Sequence, residues 1–571
     1  MAPDEAPLRS SPGRLALPGG IENAREAQEA GGSVRWALAI ILAATAIVFV
    51  AGATSDVVKG DEAYYSMFAE AWYDAGLGNR PVYNPVYGSA ESGYYYTTEP
   101  LWPLLCSLVW HMTGVHAWSA QLFQASLYAL LLAMIYLLGR DLLGPRGALV
   151  ALMGAVSVPM FGAFSILLYT DVPVAVLLML AVVLLRKEQF LAAGVVMGLA
   201  YLTKRNAAFL APACLAWMLW TPGTFWERVR RVGVFVLAAG AVTLPDFLWR
   251  QAHIPSAYEP VSICQIIQRL VTRFSQRVPD EAFVAGVGGS GGSAAGWWDR
   301  LGALFALRPG LSRINHVGSW VQYGGVVILV LLGLYVVRRA WRRGDGWLWI
   351  CVGSYMAVLL LQFTWDTEVR YTMPAAALLL VPAVRGLQRW WRKGWVLALV
   401  GVVAFGHLGV TGWAVHNRRH LTASQRAVFE YLRTETPVDA RVLYPGEVLI
   451  ARAKRQAVWS QLKNPETGSV YITGFLRETD PERIRRLLHA NAVTHICVDW
   501  TQVYRDGAQV VAFGCPESFV KRLRTLPFLE EVEGDWPGME LWKVIRKGDG
   551  GEAPPGKPST SPGHAPGGEK Q

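Results

Sequence analysis

Two carboxylates stand side by side at Asp61 and Glu62, in the stretch Lys59-Gly-Asp-Glu-Ala-Tyr-Tyr-Ser-Met-Phe-Ala-Glu-Ala-Trp72. A positioned carboxylate can take the proton from an acceptor hydroxyl or amide. Further along, Glu99 precedes Pro100, Asp171 sits in Tyr169-Thr-Asp-Val-Pro173, and Lys204 and Arg205 form a basic pair. Asp366, Glu368 and Arg370 complete the set, with Tyr371 beside the arginine. Fixed cations can hold a phosphate leaving group and stabilise the charge that grows on it. These acids and cations therefore supply the parts for group transfer from a phosphate ester, provided that the fold gathers them.

The local pattern indicates how they are held. Asp61 and Glu62 open a segment that reads as helix, where the macrodipole favours negative charge with no function required. Tyr64, Phe68 and Trp72 follow at i, i+4 and i+8 as one aromatic stripe, which suits a helix lying at a membrane interface. Tyr65 stands next to that stripe as loop or acceptor support.

Composition sets the class. The 571 residues are 53% hydrophobic and 17% charged, and several long apolar runs are separated by short basic stretches, which makes this a multi-pass helical membrane protein. The net charge of +10 does not point to nucleic acid, because the arginines sit mainly between apolar runs. The six cysteines lack metal-ligand spacing; Cys106, Cys214 and Cys351 fall in apolar segments. Cys497 and Cys515 could pair in an oxidising compartment.

In order, residues 1–34 form a Pro/Gly-rich disordered tail on the cytoplasmic side, without a signal-peptide pattern. Residues 35–419 form the membrane module, with external loops at 54–117 and 250–318. Its eleven expected helices cover about 36–53, 118–139, 148–167, 171–186, 190–203, 206–220, 233–249, 321–337, 347–364, 371–385 and 395–415. With the N-terminus inside, one set of turns holds Arg140 and Arg146, Arg186 and Lys187, Arg228, Arg230 and Arg231, Arg338 to Arg343, and Arg385 to Lys393. The short turns on the other side hold only Lys204, Arg205 and Arg370, an asymmetry that one miscounted helix would destroy. The loop at 250–318 carries a Gly/Ser run, Gly286 to Gly296, and the interfacial pair Trp297-Trp298. Residues 420–546 read as a small extracytoplasmic α/β domain: a capping box at Thr422 to Gln425, strands at 441–444 and 494–498, and a helix opened by Asp480-Pro481. Residues 547–571 are a second disordered tail.

On this topology all the unusual polar residues fall on one membrane face, where ionisable groups are costly and tend to mark function. Each also has a plainer reading. Asp171 could cap its helix, Lys204 and Arg205 could be a solvated turn, Arg370 could pair with Asp366 or Glu368, and Glu99 could be a loop acid. The Tyr94-Tyr95-Tyr96 cluster reads as interfacial packing. Taken together, the parts suit transfer of a sugar from a lipid phosphate whose tail stays in the bilayer.

The same residues carry a family resemblance. Gly60-Asp-Glu-Ala-Tyr-Tyr65 resembles the acidic first-loop motif of the GT-C superfamily of integral-membrane glycosyltransferases, and Thr98-Glu-Pro-Leu101 resembles its later acid-Pro-Pro-Leu segment. Tyr169-Thr-Asp-Val-Pro173 is similar to the second acidic site, Leu202-Thr-Lys-Arg-Asn206 to the Leu-Thr-Lys-Gly turn, and Arg370-Tyr-Thr-Met-Pro374 to the Arg-Tyr-x-x-Pro helix start. The branch is the protein mannosyltransferase and lipid A aminoarabinose transferase group, family 39 and its bacterial relatives. The strand Thr494-His-Ile-Cys-Val-Asp499 is similar to part of the extracytoplasmic domain of the bacterial members.

The resemblance implies a mainly α, polytopic GT-C bundle that transfers a sugar, with inversion, from a polyprenyl-phosphate donor to an envelope glycan, lipid or protein. This would take place on the outer face of a bacterial plasma membrane. It assigns Asp61 as base or acceptor-orienting group with Glu62 beside it, Asp171 as second acid, and Lys204, Arg205, Arg370 and Tyr371 to the donor phosphate. Glu99, Tyr64 and Tyr65 would support the acceptor or the loop. A divalent cation, Mg or Mn, held by Asp61 and Asp171 is a possible cofactor, although no ligand spacing demands one. Arg205 stands where relatives have Gly, and a single Pro follows Glu99 where they often have Lys-Pro-Pro. The rival readings are a transporter or flippase for lipid-linked glycans, or a non-catalytic envelope assembly protein. No internal repeat accompanies the charges, which counts against transport.

Overall fold

The structure is a computed structural model that describes residues 19–54, 61–83, 98–255, 348, 350–355, 372–386, 394–418, 421–445, 450, 453–459, 462–466, 472–500, 503–504 and 515–545. They form two units that divide after Leu421. The expected helix at 321–337, the Gly286 to Gly296 run, Trp297-Trp298, Tyr94 to Tyr96, Asp366, Glu368, Arg370, Tyr371 and both tails lie outside the described residues, as does the side chain of Asp61.

The first unit is a helical bundle. Its N-terminal part comprises α1 (Gly19–Ala53), α2 (Asp61–Ala75), α3 (Leu101–Thr113), α4 (Ala117–Ser157), α5 (Pro159–Ile166), α6 (Asp171–Arg186), α7 (Phe190–Thr203), α8 (Ala211–Trp220) and α9 (Phe225–His253). A 3-10 turn at Arg205–Leu210 joins α7 to α8, and the later helices are α10 (Met373–Gly386) and α11 (Gly394–Arg418).

The expected helices at 118–139 and 148–167 appear as the two halves of α4, the second continuing into α5, because Gly144 at φ 77° and ψ 177° breaks α4 just before Pro145. The chain reverses there. A Cβ at Gly139 would lie 3.1 Å from the Cα of Ala148, which a continuous helix would hold more than two turns away. Helix α3, by contrast, was not anticipated within the first external loop. It is apolar but only 13 residues long, too short to span a bilayer.

The core is a continuous apolar cluster in which Ala44 and Val48 of α1, Leu131, Leu132 and Ile135 of α4, Val172 and Met179 of α6 and Leu378 and Val381 of α10 are buried. Polar contacts mark one end of the bundle. Ser33 Oγ lies 2.9 Å from Tyr136 Oη and donates to the Pro145 carbonyl at 3.1 Å. Arg186 lies 3.8 Å from Asp141, and Arg385 donates to the Leu142 carbonyl at 2.6 Å. The turns that hold Arg140 and Arg146, Arg186, and Arg385 therefore meet at one end, as the charge pattern expects.

The second unit is the α/β domain. Its five-stranded sheet has Gln456–Ala457, Arg441–Leu443 and His495–Asp499 in parallel, and then Met539–Val544 and Leu529–Glu531 antiparallel. Both expected helix starts form: Thr422 and Gln425 make a reciprocal capping box, and Asp480 accepts from the Glu482 amide with Pro481 in the first turn. Cys497 and Cys515 are separate buried thiols; burial pushes the Cys515 thiol up to about 12.

Candidate active site

The site is built at a sharp bend between two helices. Helices α5 and α6 together have the length and apolarity of one crossing, but they meet at 119° across residues 167–170. Backbone freed from a helix and buried away from water must find other partners. Side chains of three neighbouring helices do so here. Glu62 Oε1 accepts from the Leu168 amide at 2.9 Å, and Trp102 Nε1 donates to the Leu168 carbonyl at 3.3 Å. Gln124 aims its amide nitrogen at the carbonyls of Phe164, Leu167 and Tyr169 at 3.0, 3.1 and 3.1 Å, and Gln121 reaches the Ser165 carbonyl at 2.9 Å. Thr170 Oγ1 adds a contact to Tyr65 Oη at 3.4 Å.

Asp171 follows directly as the first residue of α6, and its side chain is 1% exposed. It does not act as the helix cap. Its Oδ1 receives Lys204 Nζ at 2.6 Å, across from the end of α7. Its Oδ2 is buried with no hydrogen-bond partner among the described residues. Next to this pair, Arg205 Nε lies 3.1 Å from Glu99 Oε1, at the foot of α3. The structure thus brings Asp171, Lys204, Arg205 and Glu99 together, with Glu62 and Tyr65 behind the turn that carries Asp171. Lys204 and Arg205 are paired across helices, so they are not a merely solvated turn, and Glu99 is more than an ordinary loop acid.

The aromatic stripe of α2 is placed differently from the expectation. Phe68 is fully buried and Trp72 nearly so, packed with Tyr64 and Leu104 of α3. Pairing with α3 removes the stripe from any lipid surface, and it sets the foot of α2, where Asp61 and Glu62 stand. Tyr64 packs edge-on to Phe68 at 4.6 Å and belongs to that contact.

Three residues without a sequence motif join the site. Asp246, near the end of α9, binds Arg80 through Oδ1 and Arg250 through Oδ2, the latter at 2.8 Å. Both arginines also donate to the Thr98 carbonyl, Arg250 at 2.9 Å and Arg80 at 3.5 Å. Arg80 lies over the Trp249 ring at 3.8 Å. An acid inside the apolar run of α9, and Gln121 and Gln124 inside that of α4, were the available signals. Arg80 gave none.

Of the two acids expected to hold a divalent cation, the side chain of Asp61 lies outside the described residues. Asp171 Oδ1 already holds an ammonium, and no group of three His, Cys, Asp or Glu side chains among the described residues converges to chelate an ion.

The sequence model of the family described as dolichyl-phosphate-mannose-protein mannosyltransferase matches residues 98–249, a segment that holds Glu99, Asp171, Lys204, Arg205 and Asp246. No curated protein matches the chain in sequence. Among solved structures, ArnT from Cupriavidus metallidurans in the apo state superposes with a TM-score of 0.58 at 13% identity, covering 90% of this chain and 98% of that one. ArnT from the same organism bound to undecaprenyl phosphate gives 0.59 at 14% identity with the same coverage. At such identities the likeness establishes the fold. The chain has the fold of ArnT, and its residues 98–249 resemble the dolichyl-phosphate-mannose-protein mannosyltransferase family.

Proposed function

We propose that this protein is a membrane glycosyltransferase that moves a sugar from a polyprenyl-phosphate donor to an envelope glycan, lipid or protein. The reaction takes place on the outer face of a bacterial plasma membrane. The observation that carries the reading is the pairing of Lys204 with buried Asp171, beside Arg205 with Glu99, at the bend between α5 and α6. The ArnT fold, which one relative displays bound to undecaprenyl phosphate, supports a donor of that class.

The chemistry assigns roles to these groups. The acceptor loses its proton to a carboxylate at the start of α2, a role we assign to Asp61, the first residue of that helix. The acceptor oxygen or nitrogen then bonds to the anomeric carbon from the side opposite the phosphate, and the bond from that carbon to the phosphate oxygen breaks. The polyprenyl phosphate leaves with its electron pair. Lys204 and Arg205, with Arg370 and Tyr371 from the later helix start, are the groups proposed to receive the growing charge. Each of the first two is held by a carboxylate, so it is neutralised when the donor is absent and fixed in place when phosphate arrives. Asp171, nearly inaccessible, serves by holding Lys204 and supporting the acceptor side. Glu62 supports the Leu168 turn.

The test is mass spectrometry of lipids and envelope glycans from three strains: wild type, deletion, and one carrying Asp61→Asn. A polyprenyl-phosphate sugar that builds up in both mutants, with one glycan losing that sugar, is the expected result and names donor and acceptor together. If Asp61→Asn matches wild type while the deletion does not, the assignment of the base fails.

A further inference from the structure

Arg80, Asp246 and Arg250 form an ion cluster in which the three side chains are 8%, 11% and 8% exposed. Two cations and one anion at such depth are costly to desolvate, and buried ion pairs are weak contributors to stability. The cluster therefore calls for an explanation in what it holds. Both guanidinium groups send a bond outward to the same atom, the carbonyl oxygen of Thr98. The next residue is Glu99, which pairs with Arg205, and the residue before Arg205 is Lys204, which pairs with Asp171. Arg250 and Asp246 also act electrostatically on Arg205 itself. An unbroken chain of bonds thus runs from the end of α9 to the buried acid at the start of α6.

From this juxtaposition we infer that Asp246 is a positioning residue for the site: it locks Arg80 and Arg250 onto the Thr98 carbonyl and so sets where Glu99 holds the Lys204-Arg205 turn. The inference rests on the glycosyltransferase reading for its functional consequence and on geometry alone for the brace. Planar guanidinium groups suit the task, since each engages a carboxylate and a carbonyl from fixed fork directions. The Trp249 ring under Arg80 keeps that fork in plane. A lysine in either position would supply charge without the second arm.

The test uses the full chain with Asp246→Asn, Asp246→Glu and Arg250→Lys, the last keeping a cation in case the first fails to fold. Hydrogen exchange of the purified protein in detergent is read over 98–105, with 190–200 of α7 as internal reference. Transfer is read in the host as the sugar restored to the glycan that the deletion strain lacks. The expected result for Asp246→Asn and Arg250→Lys is faster exchange confined to 98–105 and a loss of transfer of about 10- to 100-fold, the scale of a misplaced catalytic group. Asp246→Glu should recover both in part. Unchanged exchange at 98–105, or acceleration spread evenly across the chain, overturns the brace. If exchange changes locally but transfer equals wild type, the positioning role is overturned. If the wild-type chain itself restores no sugar, the glycosyltransferase reading fails, and the exchange pattern alone decides the brace.

Discussion

Lys204 Nζ lies 2.6 Å from Asp171 Oδ1, joining the end of α7 to the start of α6 with the carboxylate 1% exposed. Removing one partner of such a pair leaves a buried charge uncompensated, at a cost of about 3–5 kcal/mol. Lys204→Met should therefore lower the thermal midpoint in detergent and abolish transfer. The double variant Asp171→Asn with Lys204→Met should regain most of the lost midpoint, because no charge is stranded. It should remain inactive, because the cation for the phosphate is gone. A double variant that transfers sugar would remove Lys204 from the site.

Glu62 is fully buried, and its Oε1 accepts from the Leu168 amide at 2.9 Å. If that hydrogen bond is its contribution, an oxygen acceptor suffices and charge does not. Glu62→Gln should keep at least about a tenth of wild-type transfer. Glu62→Ala, which strands the amide at a cost of about 1–3 kcal/mol, should lose both stability and transfer. Equal loss in both variants would mean that the carboxylate charge itself is required.

Gln124 answers three carbonyls of the α5–α6 break with one amide group. Gln124→Leu keeps the volume and removes the donors, so the break loses about 1–3 kcal/mol and Asp171 loses its fixed approach to Lys204. The expected outcome is a stable, membrane-inserted protein with a lowered midpoint and transfer reduced more than the midpoint alone would explain. Complementation of the deletion strain, beside a melting curve, checks it.

How much of this was legible follows from what each signal depends on. Asp171, Lys204, Arg205 and Glu99 could be picked out because acids and cations are rare at the ends of apolar runs. Their pairings could not, since residues 99 and 205 meet only through tertiary packing. The bend is hidden as well: residues 148–167 and 171–186 read as two ordinary helices, and a bend of 119° between α5 and α6 leaves no mark in hydropathy. Gln121 and Gln124 stood in the open as amides in an apolar helix, but only the break explains them. The aromatic stripe of α2 reads as one face suited to a membrane interface, and it is covered instead by α3, which is too short to register as a span. In the second unit the capping box at Thr422, the Asp480 cap and the buried strands are local signals and appear where expected, with one parallel and one antiparallel half that no local signal specifies.

The second unit carries its own pH dependence. His495 is buried in the central strand opposite Lys543, and burial first, then Lys543 and Arg455, lower its pKa from 6.5 to about 4. The folded state thus binds a proton less readily than the unfolded chain. Stability from this source is complete above pH 6.5, falls as pH drops from there to about 4, and levels off below, amounting to roughly 3 kcal/mol. His495→Gln should flatten the dependence of the melting temperature on pH in that window. An unchanged slope would assign it to other groups.

Helix α9 can bring Asp246 and Arg250 to Thr98 only if it lies close against α7, and two glycines set that distance. A Cβ at Gly194 would sit 2.3 Å from the Phe235 carbonyl oxygen, and one at Gly198 would sit 2.9 Å from that of Ala239. This is small-residue packing of the kind that lets membrane helices approach backbone to backbone. Neither obstacle is a flexible side-chain end, so Gly194→Ala must move α9 outward. Overpacking of this sort costs about 1–3 kcal/mol. The displacement should also shift Asp246 relative to Thr98. Transfer should therefore fall in Gly194→Ala although no charged group is altered, and hydrogen exchange at 98–105 should rise as it does in Asp246→Asn. Gly240→Ala on the same helix, where a Cβ meets nothing within 4 Å, is the matched control and should leave both readouts at wild-type values.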